Sequence, residues 1–149
     1  MTTLIILTLI GTVISMAIGT VWYMPNTPMG KLHMRNIGFD KLTPEEQAKK
    51  IADARPTMWK TYLGQMALSL LTSLSVVFIV TMSMQNGVPV AIALVFPFVN
   101  WLCFSVPAIG QQILWGNCDA AIAWRKFFSD TGCILVTVLV IGSITAFFA

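Results

Sequence analysis

The chain has 149 residues, of which 56% are hydrophobic and only 10% charged. Soluble domains carry about a quarter charged residues, so this composition excludes an ordinary water-soluble fold and predicts one integral membrane domain over residues 1–149. The net charge is +3, and every Lys, Arg, Asp and Glu falls within residues 31–60 or 119–130. The apolar blocks therefore hold no charged side chain, which argues against a proton relay or ion path built on such groups.

Residues 4–23 form the first apolar block, about the ~20 residues a helix needs to cross a ~30 Å hydrocarbon core. It closes on Trp22-Tyr23, whose amphipathic rings suit the membrane–water interface. A cleavable signal peptide is the competing reading. The lack of Lys or Arg before Leu4, and the aromatic and proline residues after the block, weigh against it. Further spans are expected over residues 59–82, 88–109 and 131–148. The second and third are joined by the short run Ser83 to Gly87. There Asn86-Gly87 is a turn signal and Pro89 suits the first turn of the next helix, so these two helices should be antiparallel neighbours.

The longer connections, residues 24–58 and 110–130 with their immediate flanks, hold all nine Lys and Arg residues. The opposite side holds none, so the positive-inside bias places both charged connections in the cytoplasm and both termini outside it, in the cell's inner membrane. Trp22, Tyr23, Trp59, Tyr62, Trp115 and Trp124 gather where the spans meet the charged side and form a one-sided interfacial belt. The fold expected is all-α: a polytopic membrane protein with a bundle of four transmembrane helices and a short cytoplasmic helix between the first and second.

That short helix is legible in Thr43-Pro44-Glu45-Glu46, a capping threonine, a proline at the first helical position and a glutamate three residues after the cap. It should run over residues 44–54, with Glu45/Lys49 and Glu46/Lys50 as supporting pairs. Pro56 should discourage its continuation. Residues 31–60 carry seven basic against four acidic residues. They read as a solvated spacer or as a docking surface for a partner or anionic headgroups.

Within the spans, Gly11, Ser15 and Gly19 recur every four residues and form a stripe that lets another helix approach closely. Ser69, Thr72 and Ser73 share a face of the second span, where hydroxyls act as helix glue or line a hydrated path. Pro89, Pro97 and Pro107 interrupt the third span. Pro97 cannot donate to the carbonyl of Ala93, so a kink is expected at mid-span, with Asn100 one turn away in need of a partner. Such a broken helix marks a substrate site in a transporter and only a bend in a plain bundle. Gln111 and Gln112 would stand at the cytoplasmic mouth of any path.

The string Gly19-Thr20-Val21-Trp22-Tyr23-Met24-Pro25, followed by Gly30-Lys31, Met34-Arg35 and Gly38, resembles a family of small, mostly bacterial membrane proteins known as domain of unknown function seventeen-sixty-one. The resemblance implies a four-helix integral membrane protein and brings no activity, substrate or cofactor. Relatives often place a histidine or tyrosine early in the last helix, where this chain reads Asp130-Thr131-Gly132-Cys133. Taken alone, the motif is a helix stop with an anchor: Pro25 and Pro28 forbid regular continuation and Gly30 lets the chain turn. Lys31, His33 and Arg35 are its candidate contacts to a headgroup or anion.

Catalytic chemistry has little to draw on. The chain has one histidine, His33, and its cysteines, Cys103, Cys118 and Cys133, lack ligand spacing. They read as small buried residues, and Asp119 and Asp130 read as balancing Arg125 and Lys126. No catalytic residue, metal, cofactor or nucleic-acid partner is expected. The leading expectation is a non-enzymatic protein acting through helix association, with itself or with a membrane-protein partner. The alternative is a small oligomeric transporter or channel for a neutral or weakly charged solute.

Overall fold

The computed structural model describes residues 1–114 and 119–148, and among them every regular element is helical. The first long helix is α1 (Thr2–Trp22). A short helix, α2 (Pro28–Asn36), follows, then a 3-10 turn (Phe39–Lys41) and α3 (Pro44–Ala54). A second 3-10 turn (Arg55–Thr57) leads into α4 (Met58–Gln85). The third long segment is broken into α5 (Val90–Ala93), α6 (Val95–Asn100), five residues of π-helix (Trp101–Ser105) and α7 (Val106–Leu114). The last helix is α8 (Ala120–Phe148). Four helical runs are long and apolar enough to cross a membrane.

Local rules account for most boundaries. Thr43 accepts from the backbone of Glu46 while the Glu46 carboxylate accepts from the Thr43 amide, the reciprocal arrangement expected from the sequence. Those bonds favour the ionised form and hold the Glu46 carboxyl below its usual range. With Glu46 engaged by Thr43, Glu46/Lys50 does not close, and Glu45/Lys49 does not close either. The one salt bridge among the described residues is Arg35 with Asp40, at 3.9 Å. At the other end of α4, Gly87 adopts φ +75°, and its amide donates to Met84 in the turn predicted at Asn86-Gly87.

Four expectations are corrected. Pro56 limits α3 to Ala54, as expected, yet does not set it apart as a separate short helix: a 3-10 turn absorbs the missing donor, and α3 and α4 form one helical run of 42 residues, roughly 60 Å long. The chain after Pro25 forms α2, because Thr27 caps it and Pro28 occupies its first turn. Gly30 serves close approach rather than turning, since a methyl group there would collide with the carbonyl of Met24. The connection expected over residues 110–130 is largely helical: α7 reaches Leu114, and α8 starts at Ala120, where the Asp119 carboxylate accepts from the amides of Ala121 and Ile122. Asp119 is thus a helix cap.

The core lies where α1, α4 and α8 meet, with Leu7, Val76, Val77, Val80, Val138 and Ile141 as its buried cluster. α1 packs most extensively on α4. Gly11 is the point of closest approach, where an added methyl group would overlap the Ser73 hydroxyl and press on Ile141. The Ser73 hydroxyl donates to the carbonyl of Thr8 at 2.8 Å, and Ser15 donates to Ser69 at 3.1 Å. The broken third segment rests against α8, where Gly142 admits Leu94 and Pro97, each 3.4 Å from where a methyl carbon would stand. As expected, Pro97 disrupts the helix: Leu94 interrupts it three residues before the proline.

Candidate functional site

The polar side chains that cross between helices concentrate where the charged stretches meet, at the end of the bundle that holds the close of α1 and the early turns of α8. Antiparallel packing brings these stretches together. Gly11 meets Ile141, while the Trp22 indole N–H, eleven positions further along α1, donates to the Ser129 hydroxyl at 3.4 Å. The Tyr23 hydroxyl donates to Asp130 Oδ1 at 2.6 Å. Gly132 leaves room beside the Trp22 ring, whose carbon Cζ2 lies 3.6 Å from where a methyl group would sit. On the other side of α8, the Trp101 indole N–H donates to the carbonyl of Thr131 at 2.8 Å.

α2 completes the cluster. Its start is tied to the end of α1 through the Thr27 hydroxyl, which lies within hydrogen-bond distance of the carbonyls of Trp22 and Met24 and accepts from the Gly30 amide. His33 on α2 meets the Tyr23 ring edge-on, with centroids 5.1 Å apart. The G-x-x-W-Y-x-P string is therefore a tertiary joint as well as a helix end. Its two aromatic residues are half-buried against α8 and hold α1, α2 and α8 together.

The structure scatters several of the other candidates. Ser69 and Ser73 are buried in the α1–α4 seam and bonded there. Thr72 bonds back to the carbonyl of Leu68. Asn100 is half-exposed at the end of α6 and makes no side-chain hydrogen bond among the described residues. Pro97 is buried against Gly142. These residues do not form one polar site. Gln111 and Gln112 are exposed on α7.

The small-residue stripe is split. Gly11 and Ser15 are used within the chain, whereas Gly19 has open space around it. Lys31 and Arg35 share the exposed face of α2, while His33 turns toward Tyr23. Of the aromatic belt, Trp59, Tyr62 and Trp124 are exposed by half or more, and Trp115 lies outside the described residues. Cys133 is buried, but Cys103 is exposed, because the π-helical stretch packs one face on α8 and leaves Leu102 to Phe104 outside. Cys118 lies outside the described residues.

Sequence reasoning missed Trp101, Ser129 and Asp130 as joint residues. Asp130 carried a usable signal, being an acidic residue at the edge of an apolar span, where an unpaired charge is costly and a partner is to be expected.

The model of a family described as "Protein of unknown function (DUF1761)" matches residues 6–146. No curated protein and no solved structure matches the chain.

Proposed function

The chain belongs to the DUF1761 family, and from that premise we propose that it is a multi-pass protein of the bacterial inner membrane, with both termini outside the cytoplasm, that acts without catalysis by associating through its helices with a second copy or a partner subunit. The observation that carries this reading is the first part of α4. From Met58 to Leu68 every residue is exposed, including Met58, Trp59, Tyr62, Leu63, Met66 and Leu68. Within that stretch Gly64 has nothing near its missing side chain, and the same is true of Gly19 on α1. Glycines open on apolar helices favour close helix–helix approach in a bilayer, where large side chains already have lipid to pack on. The polar groups gathered in the bundle support a structural role, since most are hydroxyls bonded to helix carbonyls.

The test is native mass spectrometry of the protein extracted in mild detergent from its own membrane, compared with Gly19→Ile and Gly64→Ile. The reading expects an oligomer or a stoichiometric partner, lost in one or both variants while the monomer stays folded. A monomer in the wild type would sink it.

One observation favours the transporter alternative. The third segment breaks at Leu94 and widens into π-helix over Trp101–Ser105, with Asn100 between the two irregularities. Such interruptions often accompany solute sites. That version predicts that Asn100→Leu abolishes uptake of a neutral solute while leaving the oligomer intact.

A further inference from the structure

Given that association, on which the inference rests, we propose that the partner is a second copy of the chain, met along the part of the Pro44–Gln85 run that stands clear of the bundle. The contact is a parallel seam of Ala48, Ile51, Ala52, Met58, Tyr62 and Met66. From Ala48 to Leu68 every residue is exposed, and no residue of α3 is buried. Isolated helices are marginal in water, and most helical stability in proteins comes from packing an apolar face. This stretch has such a face, with nothing of its own chain against it.

The face continues one already in use. Met58, Tyr62 and Met66 fall at helical spacing in line with Ser69, Ser73 and Val76, which α4 buries in the bundle. Ser15 of α1 donates to Ser69, so in this antiparallel pair Tyr23 stands level with about residue 60 of α4. At that level Tyr62 and Met66 should lie against α1. Instead they are 58% and 46% exposed, and Gly19, one turn on from Ser15, has open space around it, so α4 has parted from α1 there. Ile51 and Ala48 come roughly 15 Å beyond the end of α1, within the charged stretch, where acyl chains do not reach. The 3-10 turn between them and Met58 adds at most about 60° of winding, which keeps Ala48, Ile51 and Ala52 on the same side of the run.

The distribution of charge selects a like partner. Lys49, Lys50, Asp53 and Lys60 all fall off this stripe, as does Pro56. Every copy crosses the bilayer in the same direction, so two copies present the stripe in parallel and at the same height. Each residue then meets its counterpart about a two-fold axis along the membrane normal. Arg55 is the one charge along the stripe, and it makes no salt bridge among the described residues. A single basic residue at a core position lowers the stability of a parallel pair and fixes its register. Gly64 stands on the opposite side of α4, outside the seam.

The experiment places single cysteines in the full chain, in its own membrane, and reads disulfide-linked dimer after mild oxidation against the unmodified chain. Ile51→Cys and Met58→Cys should link well above the background that Cys103, Cys118 and Cys133 provide, whereas Asp53→Cys and Lys60→Cys should stay at background. In native mass spectrometry at fixed concentration, Arg55→Leu should tighten the dimer severalfold by removing the like charges from the seam, and Lys49→Leu should leave it unchanged. The seam is overturned if all four cysteine positions link equally, or if neither Ile51→Cys nor Met58→Cys rises above background. An oligomer or partner complex that persists in that case leaves the association reading standing, and a wild-type monomer overturns both. A weaker complex for Arg55→Leu would mean that Arg55 meets an acid of an unlike partner, and would also overturn the self-pair.

Discussion

The Tyr23 hydroxyl lies 2.6 Å from Asp130 Oδ1, joining the residue that closes α1 to the early part of α8 across 107 positions of sequence. Both residues are half-buried, so the bond is neither fully screened by water nor isolated from it. It fixes the end of α1 at one level on α8, and through the contact between Tyr23 and His33 it sets where α2 lies.

Tyr23→Phe keeps the ring and removes only this bond. A hydrogen bond to a charged acceptor contributes about 1.5–3 kcal/mol, and partial exposure argues for the lower end. Thermal unfolding in detergent should show Tyr23→Phe less stable, with Asp130→Asn also weakened. The double variant should be clearly better than the sum of the two losses. Additive losses would mean that the two groups do not interact.

Gly11 and Gly19 should behave oppositely although they lie in one stripe. Gly11→Leu forces a side chain into the Ser73 contact and should cost about 1–3 kcal/mol or more. Gly19→Leu meets open space and should leave the unfolding midpoint of the monomer unchanged. Equal effects would contradict the packing described for α1 on α4.

Ser73→Ala removes the hydroxyl that crosses to the Thr8 carbonyl. Interhelical bonds of this kind average about 0.6 kcal/mol in membrane proteins, so a small loss is expected. Thr72→Ala, whose hydroxyl bonds only within its own helix, should be nearly silent.

The start of α3 should respond to pH. The Glu46 carboxyl is held below its ordinary range by its bonds to Thr43, so the folded helix start prefers the ionised form. That contribution is fully present above the usual carboxylate pKa and is lost as pH falls through the lowered value. Protection of the amides of residues 45–48, measured against their intrinsic exchange, should therefore fall in acid, and Thr43→Ala should remove the dependence. A flat protection profile in the wild type would refute the link.

Removing the Trp101 indole N–H tests the other side of α8. Trp101→Phe leaves the Thr131 carbonyl without that donor and should destabilise the bundle by about 1 kcal/mol. The effect should be independent of Tyr23→Phe, because the two joints share no hydrogen-bonding atom.

The sequence by itself determined the helices. Long apolar blocks leave the backbone no alternative to internal hydrogen bonding in a lipid-like medium, and caps such as Thr43 with Glu46, or the turn at Gly87, depend only on neighbours a few residues away. That is why the number of long helical runs, the short helix over Pro44–Ala54 and the break near Pro97 were all legible. The tertiary structure decided which faces meet. Whether Trp22 and Tyr23 face lipid or Ser129 and Asp130, whether Gly11 or Gly19 is the contact glycine, and whether Ser69 and Ser73 line a path or seal a seam depend on residues far away in sequence. The two glycines are chemically identical. Only the position of α4, set by the packing of Val76, Val77 and Val80 against Leu7 and Ile141, separates the one that must stay small from the one that stands open.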